Sequence, residues 1–337
     1  MSRVPSTSTR HRPEKRAALM SSLVAIVMAL AIGVAVADDY PTHPMRLVVP
    51  FPTGGTSDII GRVMAEYSSR LLKQQMIVEN RAGAGGNIGT EAVAHAAPDG
   101  YTLSLCTIGT CAINASMYAT TGYDIARDFA PVILVGRVVN ILAVNPALKA
   151  ASMKELVALA KSKPGALTYG SSGYGSSPHL SGELLKSIAG IDVVHVPYKG
   201  SAPAIIDLRA GQIQMFFDNA PSILPHVKAG AVRALATTGA QRAKVLPDIP
   251  TMEESGFPSF VITPWWGVLV PARTPAPIVA RLNQVMNAVL KDPIVMKRFD
   301  ELGVDIVGGS AEHLGTYMQS ESARWGKLVR SRNIRAE

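Results

Sequence analysis

The 337-residue sequence contains little cysteine, few aromatic side chains and little charge. Two residues are cysteine, 6% are aromatic and 17% are charged, whereas about 25% are charged in an average soluble domain. Two cysteines are too few for a disulfide framework, and without a second pair or a nearby histidine they do not form a zinc-binding pattern. No cluster of Lys and Arg with interleaved aromatic residues is present in the sequence, which makes nucleic acid a poor partner.

Sequence signatures of common enzymes are also missing. The serine-rich segments contain no G-x-S-x-G elbow, and no H-E-x-x-H zinc motif occurs. Gly83, Gly85 and Gly89 are spaced one residue too far apart for a dinucleotide fingerprint. His179 and His195 leave open a pairing with a serine, although a single histidine is more often a packed residue. The sequence therefore favours a protein that is not an enzyme, with no metal and no cofactor.

The first 37 residues have the features of an export signal. Five basic side chains precede an apolar run: Arg3, Arg10, Arg12, Lys15 and Arg16. The run ends in the small-x-small pattern at residues 35–37, as expected for a cleaved secretory signal peptide. An uncleaved membrane anchor is the alternative, since about 20 apolar residues span a bilayer. Cleavage lowers the formal charge from +8 to +4, because five basic residues and one acidic residue are removed. We expect the mature protein to lie in the periplasm.

After residue 37, short apolar runs alternate with amphipathic stretches, which predicts an α/β protein with mixed, mostly parallel sheets flanked by helices. Two segments, 130–148 and 260–272, are too long for ordinary strands and are interpreted as crossings between two lobes. The predicted organisation is a signal peptide at 1–37, lobe 1 at 38–138 plus 263–337, and lobe 2 at 139–262. A cleft should separate the lobes.

The segment "PFPTGGTSD" (50–58) leads from a predicted strand into a predicted helix. Ligands of open α/β sheets collect at such strand ends, and the first turn of a helix offers unpaired N–H groups to an anion. Glycines at 54 and 55 allow close approach of the backbone, while Thr53, Thr56 and Ser57 add hydroxyl groups. The alternative is an ordinary helix start, with Thr56 or Ser57 as the N-cap and Asp58 complementing the helix dipole.

Two further segments have the same character, at 107–114 and 168–180. Their small and hydroxyl-bearing candidates are Thr107, Gly109 and Thr110, and Ser171, Ser172, Gly173, Gly175, Ser176 and Ser177. A hydrogen bond to a charged group contributes about 1.5–3 kcal/mol, so four to six such bonds suffice for micromolar binding of a carboxylate without any arginine. Because no cluster of Arg or Lys lies in these segments, we expect a mono- or dicarboxylate rather than citrate.

Two pairs of residues leave alternatives open. Cys106 and Cys111 are either a disulfide or two thiols, Cys106 buried at a strand end and Cys111 in a loop. Trp265 and Trp266 are either packing residues or a platform on which a ligand stacks, and we favour packing.

Five segments, taken in series, resemble the substrate-binding receptors of the tripartite tricarboxylate transporter group, also called Bug proteins. They are "YPTHPMRLVVPFPTGGTSDIIGR", "VENRAGAGGNIGTEAVAHAAPDGYTL", "YGSSGYGSSPHLSGELLK", "VHVPYKGSAPAIIDL" and "MFFDNAPSILPHVKAG". The resemblance runs from Tyr40 to about Trp325. It implies a monomeric, two-lobed periplasmic binding protein of type II-like fold, which closes on a small carboxylate and delivers it to a membrane permease.

The resemblance also implies a binding site. Segments matching 51–58, which begins at Phe51, and 171–177 hold the ligand carboxylate in this family, and the segment matching 107–114 lines the same cleft. The acidic residue matching Asp218 lies near this cleft, where Asp218 either accepts from a ligand or only fixes a neighbouring loop. Tyr198 opens another strand-to-helix loop at the same edge, and His179 is a further candidate for ligand binding. Cys111 stands where the family often has His, which puts a polar contact there in doubt.

Three functions follow as hypotheses. The first is a solute receptor, which binds its ligand without chemical change. The second is an exported α/β hydrolase or oxidoreductase that uses Ser176 or His179. The third is a periplasmic sensor partner, which shares the binding chemistry of a receptor.

Overall fold

A computed structural model describes residues 40–332 and 334–336. The predicted signal peptide lies outside the described residues. Within them, no helix has the length and apolar character needed to cross a membrane. The strands are β1 Met45–Val49, β2 Met76–Asn80, β3 Thr102–Thr107, β4 Phe129–Arg137, β5 Asn140–Val144, β6 Thr168–Ser171, β7 Val194–Pro197, β8 Met215–Asn219, β9 Arg233–Thr237, β10 Trp265–Pro271 and β11 Asp305–Ile306.

Helices follow most of the strands, as the alternating sequence pattern predicts. They are α1 Thr56–Leu72, α2 Asn87–Ala94, α3 Asn114–Met117, α4 Ile125–Asp128, α5 Met153–Ser162, α6 Ser177–Ala189, α7 Ser201–Ala210, α8 Ala220–Lys228, α9 Ala276–Leu290, α10 Pro293–Leu302 and α11 Ala311–Ser331. A 3-10 turn at Ala84–Gly86 precedes α2, and a π-helical turn at Gly109–Ile113 connects β3 to α3.

The strands form two sheets, each the centre of one lobe. The first lobe has the six-stranded order β11-β4-β10-β3-β1-β2, and the second lobe has the five-stranded order β7-β6-β8-β5-β9. Strands β3, β5, β8 and β10 are fully buried, which explains their almost continuous apolar sequences. The predicted two-lobed α/β fold with mixed sheets is confirmed.

The expectation of mostly parallel pairing is wrong for the described strands. Four pairings are parallel, and five are antiparallel. The antiparallel pairings all involve a strand next to a crossing, because β4 and β5 leave one sheet for the other and β10 returns. Only the strands joined by helical crossovers, such as β1 and β2, run parallel.

The chain passes between the sheets twice, once between β4 and β5 and once between β9 and β10. The two passages are hydrogen bonded to each other, since the amide of Val138 donates to the carbonyl of Pro264 at 2.9 Å. Thr238, which is fully buried, donates its hydroxyl to the carbonyl of Ile262 at 2.6 Å and accepts from the amide of Asn140 at 2.9 Å. The paired passages agree with two crossings, while the predicted lobe boundaries at 138/139 and 262/263 stay a prediction.

Candidate functional site

A small cavity of about 40 Å³ lies where the two lobes meet. Residues of the first lobe, the second lobe and the return passage to β10 all contribute to its wall. Nine predicted site residues line it: Phe51, Gly55, Thr56, Ser57, Thr107, Gly109, Ser172, Ser176 and Ser177. The remaining lining residues are Pro52, Ile108, Pro178, Gly200, Ser201, Asn219, Pro264 and Trp266. The structure therefore brings together all three predicted segments.

Four helices begin at this cavity. Gly55, Gly200 and Asn219 are the N-caps of α1, α7 and α8, and none of these three helices has a side-chain cap. The N-cap of α6 is Ser176, whose hydroxyl accepts from the amide of His179 at 3.4 Å. The alternative of an N-cap at Thr56 or Ser57 is wrong, because the N-cap of α1 is Gly55 and the helix begins at Thr56.

The electrostatics of the cavity follow from these helix starts. First-turn N–H groups have no partner within their own helix, and each helix N-terminus carries a partial positive charge. None of the residues that line the cavity has a charged side chain. The cavity therefore offers hydrogen-bond donors and a positive potential to an anion without any lysine or arginine.

Asp58 lies behind the first segment rather than in the cavity wall. Its carboxylate accepts from the amide of Gly54 at 3.0 Å, from Arg62 Nε at 2.9 Å and from Asn80 Nδ2 at 3.0 Å. Burial opposes its ionisation, but these hydrogen bonds outweigh that effect and hold the pKa of Asp58 below its usual value. Thr53 is exposed and contacts Asn80 through its hydroxyl at 3.4 Å. These contacts fix the shape of the loop, and Gly54 takes the φ of +87° that the turn needs.

Asp218 is fully buried and binds hydroxyl groups of the second lobe, one of which is hydrogen bonded to the first lobe. Its carboxylate accepts from Ser201 Oγ at 2.7 Å and from Ser222 Oγ at 2.6 Å. Burial raises the pKa of Asp218 to about 7, although both serines favour the ionised form. Thr56 Oγ1 of the first lobe donates to Ser222 Oγ at 3.1 Å, and Ser172 Oγ lies 3.0 Å from Ser201 Oγ. Asp218 therefore fixes cavity side chains without lining the cavity itself.

Some residues of the 107–114 segment line the cavity, and others brace the turn behind it. Thr107 and Gly109 line the cavity, whereas Thr110 braces the turn by accepting from the amide of Thr107 at 3.0 Å. Cys111 is 2% exposed and lies in the π-helical turn rather than a loop. Cys106 and Cys111 are both free and buried, and burial raises the pKa of the Cys111 thiol well above its usual value.

The two tryptophans have different roles. Trp265 is fully buried and donates from Nε1 to Glu321 at 3.1 Å, as a packing residue does. Trp266 lines the cavity and donates from Nε1 to Ser57 Oγ at 2.9 Å. The preference for packing therefore holds for Trp265, and Trp266 is a wall residue that sequence reasoning missed.

The other predicted residues of the second lobe support the 171–177 segment from behind. Ser171 Oγ lies 2.7 Å from His195 Nε2 and also accepts from the amide of Gly173 at 3.1 Å. His179 stacks on His195 with ring centroids 4.5 Å apart. Burial lowers the pKa of His179 to about 4 and that of His195 to about 3, so both rings are neutral at pH 7. These side chains form a packed cluster rather than a cavity wall.

Gly175 lies at a close contact between the lobes. Its φ is +77°, and a Cβ atom there would overlap Asn114 Oδ1 of the first lobe. Its carbonyl oxygen would lie 2.9 Å from a Cβ at Gly109, across the same boundary. The neighbouring contact from Tyr118 OH to the carbonyl of Tyr174, at 3.1 Å, also joins the lobes. The loops of the two lobes are in direct contact in this structure.

A second cavity of about 350 Å³ adjoins the first. Four residues line both cavities: Phe51, Pro52, Ser172 and Gly200. The predicted residues Gly173 and Tyr198 line only the larger one, as does Lys199. The hydroxyl of Tyr198 donates to Asp207 at 2.7 Å, so its proton is not available to a ligand.

The arrangement expected of a serine hydrolase is not present among the described residues. Ser176 Oγ donates to the carbonyl of Gly173 at 2.6 Å, and His179 Nδ1 has no hydrogen-bond partner in that part of the chain. Ser171 and His195 form the one hydrogen-bonded serine–histidine side-chain pair of the described residues, and this serine is fully buried outside the cavity. The described residues also hold no cluster of three or more His, Cys, Asp or Glu side chains suited to a metal.

Comparisons with known proteins agree on one family for this chain. The profile of the tripartite tricarboxylate transporter family receptor, TctC, matches residues 60–334. Protein BugT of Bordetella pertussis is 38% identical over 295 residues, which cover 87% of this chain and 90% of BugT.

Three solved structures are similar along nearly their whole length. An R. palustris protein with adipate is 39% identical, with a TM-score of 0.86 over 88% of this chain and 99% of that protein. The periplasmic binding protein BugD is 33% identical, with a TM-score of 0.85 over 88% of this chain and all (100%) of BugD. MatC from Rhodopseudomonas palustris with bound malate is 31% identical, with a TM-score of 0.83 over 86% of this chain and 100% of MatC. The chain belongs to the TctC receptor family, the Bug proteins, and has their two-lobed periplasmic binding protein fold.

Proposed function

We propose that this protein is a periplasmic receptor that captures a small carboxylate between its lobes and presents it to a tripartite tricarboxylate-type permease. The observation that carries the proposal is the meeting of four helix N-termini around a cavity without a charged side chain. Donors aimed from both lobes bind an anion best when the lobes are closed, so ligand binding stabilises closure. Adipate and malate in two similar proteins support a carboxylate as the anion.

The sizes of the two cavities suggest how the ligand is divided between them. The smaller one, about 40 Å³, is far below the roughly 300–1,000 Å³ of a typical small-molecule site. It therefore suits a carboxylate group rather than a whole acid. The adjoining cavity of about 350 Å³ shares four wall residues with it and suits the remainder of the ligand. Lys199 in that second wall favours a ligand with a further polar or anionic end.

Delivery to a permease rests on membership of the receptor family. A receptor of this kind acts through its closed form, which a membrane partner recognises. A sensor partner would read the same closed form, so the binding chemistry is common to both roles.

Expression of the full-length gene with its own leader, in a Gram-negative host, tests location and binding together. We expect the protein in the periplasmic fraction with its N-terminus at residue 38. Thermal unfolding against mono-, di- and tricarboxylates should identify a stabilising acid, with a gain of about 2.7 kcal/mol at a hundredfold excess over Kd. Mass spectrometry should recover that acid unchanged. Failure of every carboxylate to stabilise the protein, or conversion of the bound acid, would overturn the proposal.

A further inference from the structure

The hydroxyl groups in the cavity wall do not all have a proton to give to a ligand. A serine or threonine hydroxyl has one proton and two lone pairs, so a proton donated within the protein leaves only acceptor capacity. When Asp218 is ionised, Ser201 Oγ donates its proton to this carboxylate, and Ser222 Oγ donates to it as well, at 2.6 Å. The carbonyl of Asn219 is a longer and uncharged alternative for Ser222, at 3.0 Å, so the carboxylate takes that proton.

Because Ser201 and Ser222 donate their protons to Asp218, the direction of one further hydrogen bond to each serine is fixed. Because the proton of Ser222 is used, Thr56 Oγ1 is the donor in its 3.1 Å bond to Ser222. Because the proton of Ser201 is used, Ser172 Oγ is the donor in its 3.0 Å contact with Ser201. Thr56, Ser172 and Ser201 all line the cavity. Each of them keeps a lone pair and has no proton left for a ligand.

Two other wall hydroxyls have the opposite character. Ser57 Oγ accepts from Trp266 Nε1 at 2.9 Å, and Thr107 Oγ1 accepts from the amide of Thr110 at 3.4 Å. Neither proton has an acceptor in the described part of the chain. Ser176 and Ser177 also line the cavity and donate their protons within the protein, to the carbonyl of Gly173 at 2.6 Å and to Asn140 Oδ1 at 3.5 Å. The cavity therefore has donors in the first-turn amides, Ser57 and Thr107, and acceptor-only hydroxyls at the other five positions. Of these five, Thr56, Ser172 and Ser201 are linked by hydrogen bonds to Asp218.

We propose that the cavity selects carboxylic acids that carry a hydroxyl group next to the carboxylate. The inference rests on the proposed carboxylate-binding function and names the class of ligand. The carboxylate takes the donors, and the adjacent hydroxyl donates its proton to the acceptor group anchored on Asp218. An acid without that hydroxyl does not form this hydrogen bond, which costs affinity. An ammonium group is disfavoured, because four positive helix ends surround the cavity.

Matched pairs of acids test the inference on the exported protein. We would measure Kd by calorimetry at pH 8.5, where Asp218 is ionised, for malate with succinate, 2-hydroxyglutarate with glutarate, 2-hydroxyadipate with adipate, and lactate with propionate. Aspartate and glutamate serve as the amino counterparts. We expect the hydroxy acid of the best-binding pair to bind at least tenfold more tightly than its deoxy partner, and the amino acid to gain nothing.

Two single-atom variants separate the acceptor group from the donors. Ser201→Ala removes one acceptor and frees the proton of Ser172, so the preference for the hydroxy acid should fall to about twofold or less. Ser57→Ala removes a donor and should weaken both acids of a pair equally, with their ratio unchanged.

Three results overturn the inference. Equal or tighter binding of the deoxy acid overturns it and leaves the receptor function intact. The same holds if Ser201→Ala keeps the full preference. If no member of any pair binds, the proposed carboxylate function fails together with the inference.

Discussion

Thr56 Oγ1 of the first lobe donates a hydrogen bond to Ser222 Oγ of the second lobe at 3.1 Å. Both side chains are buried, at 3% and 6% exposure. The bond joins the first turn of α1 to α8 beside the cavity, and Ser222 passes the connection to Asp218 at 2.6 Å. The contact between the lobes and the direction of the hydrogen bonds among the cavity hydroxyls therefore depend on the same residues.

Replacement of Thr56 by valine tests this connection. Thr56→Val keeps the side-chain shape and removes the donor to Ser222, at a cost of about 0.5–1.5 kcal/mol for a typical hydrogen bond. We expect the ligand Kd to rise about threefold to tenfold, because the bond exists only when the lobes are in contact. Isothermal titration with the acid found in the thermal screen measures the change.

A buried threonine outside the cavity provides the control for Thr56→Val. Thr274 Oγ1 has no hydrogen-bond partner among the described residues. Thr274→Val should therefore leave the ligand Kd and the unfolding temperature unchanged or slightly improved. Wild-type affinity in Thr56→Val would show that this contact does not contribute to the bound state.

The glycine at 175 should be required for closure. Gly175→Ala places a methyl group against Asn114 Oδ1 of the first lobe, at a backbone φ of +77°. We expect a ligand affinity more than tenfold lower, and small-angle scattering that does not change when ligand is added. Gly190→Ala is the matched control, since its φ of +60° is similarly strained but a Cβ there would meet no atom of the described chain within 4 Å apart from its own neighbours in the chain.

Both glycine variants should lose about 1–2 kcal/mol of stability from the positive φ. Only Gly175→Ala should lose binding. Equal affinities in the two variants would argue that the 171–177 segment does not approach the first lobe when ligand binds.

Much of the site was predictable because its segments are local in sequence. A strand, a short stretch of glycines and hydroxyl residues, and a helix start are all read from neighbouring residues, and the structure builds this arrangement at 53–57 and 171–177. What such reading does not determine is which side chain faces the cavity. Asp58 and His179 follow the same pattern as the wall residues, yet both point into supporting contacts.

The missed wall residues come from segments that reach the cavity only in three dimensions. Trp266 and Pro264 belong to the return passage to β10, and Ser201 and Asn219 belong to the starts of α7 and α8. Their place depends on how the two sheets pack, which no local pattern encodes. The antiparallel pairings were missed for the same reason. They depend on where β4, β5 and β10 enter their sheets, which also lies beyond any local pattern.

Asp218 should make stability depend on pH. Its folded pKa of about 7 lies above its ordinary value of 3.8, so the folded state holds the proton more tightly. This carboxyl therefore contributes stability below about pH 4, and that contribution is lost as the pH rises to about 7. Asp218→Asn does not titrate. We expect the free energy of unfolding of the wild type, relative to this variant, to fall by a few kcal/mol, as an order of magnitude, from pH 4 to pH 8.

Comparison with the variant is needed because His179 and His195 act in the opposite direction. Their lowered pKa values make the folded state gain stability as the pH rises towards 6.5. Both histidines remain in Asp218→Asn, so their effect cancels in the difference. Urea unfolding at several pH values measures it, and a difference that does not change with pH would contradict the raised pKa of Asp218.

The two cysteines should behave as buried thiols. Cys106 and Cys111 are 0% and 2% exposed and are free, and burial raises the pKa of Cys111, which leaves little of the reactive thiolate. We expect no reaction with Ellman's reagent in the folded protein and two thiols per chain in denaturant without reductant. Cys111 is buried in the π-helical turn and keeps little thiolate, so mild oxidation should leave the ligand Kd unchanged. No titratable thiol in denaturant would instead establish a disulfide, and rapid reaction in the folded state would show that the turn opens.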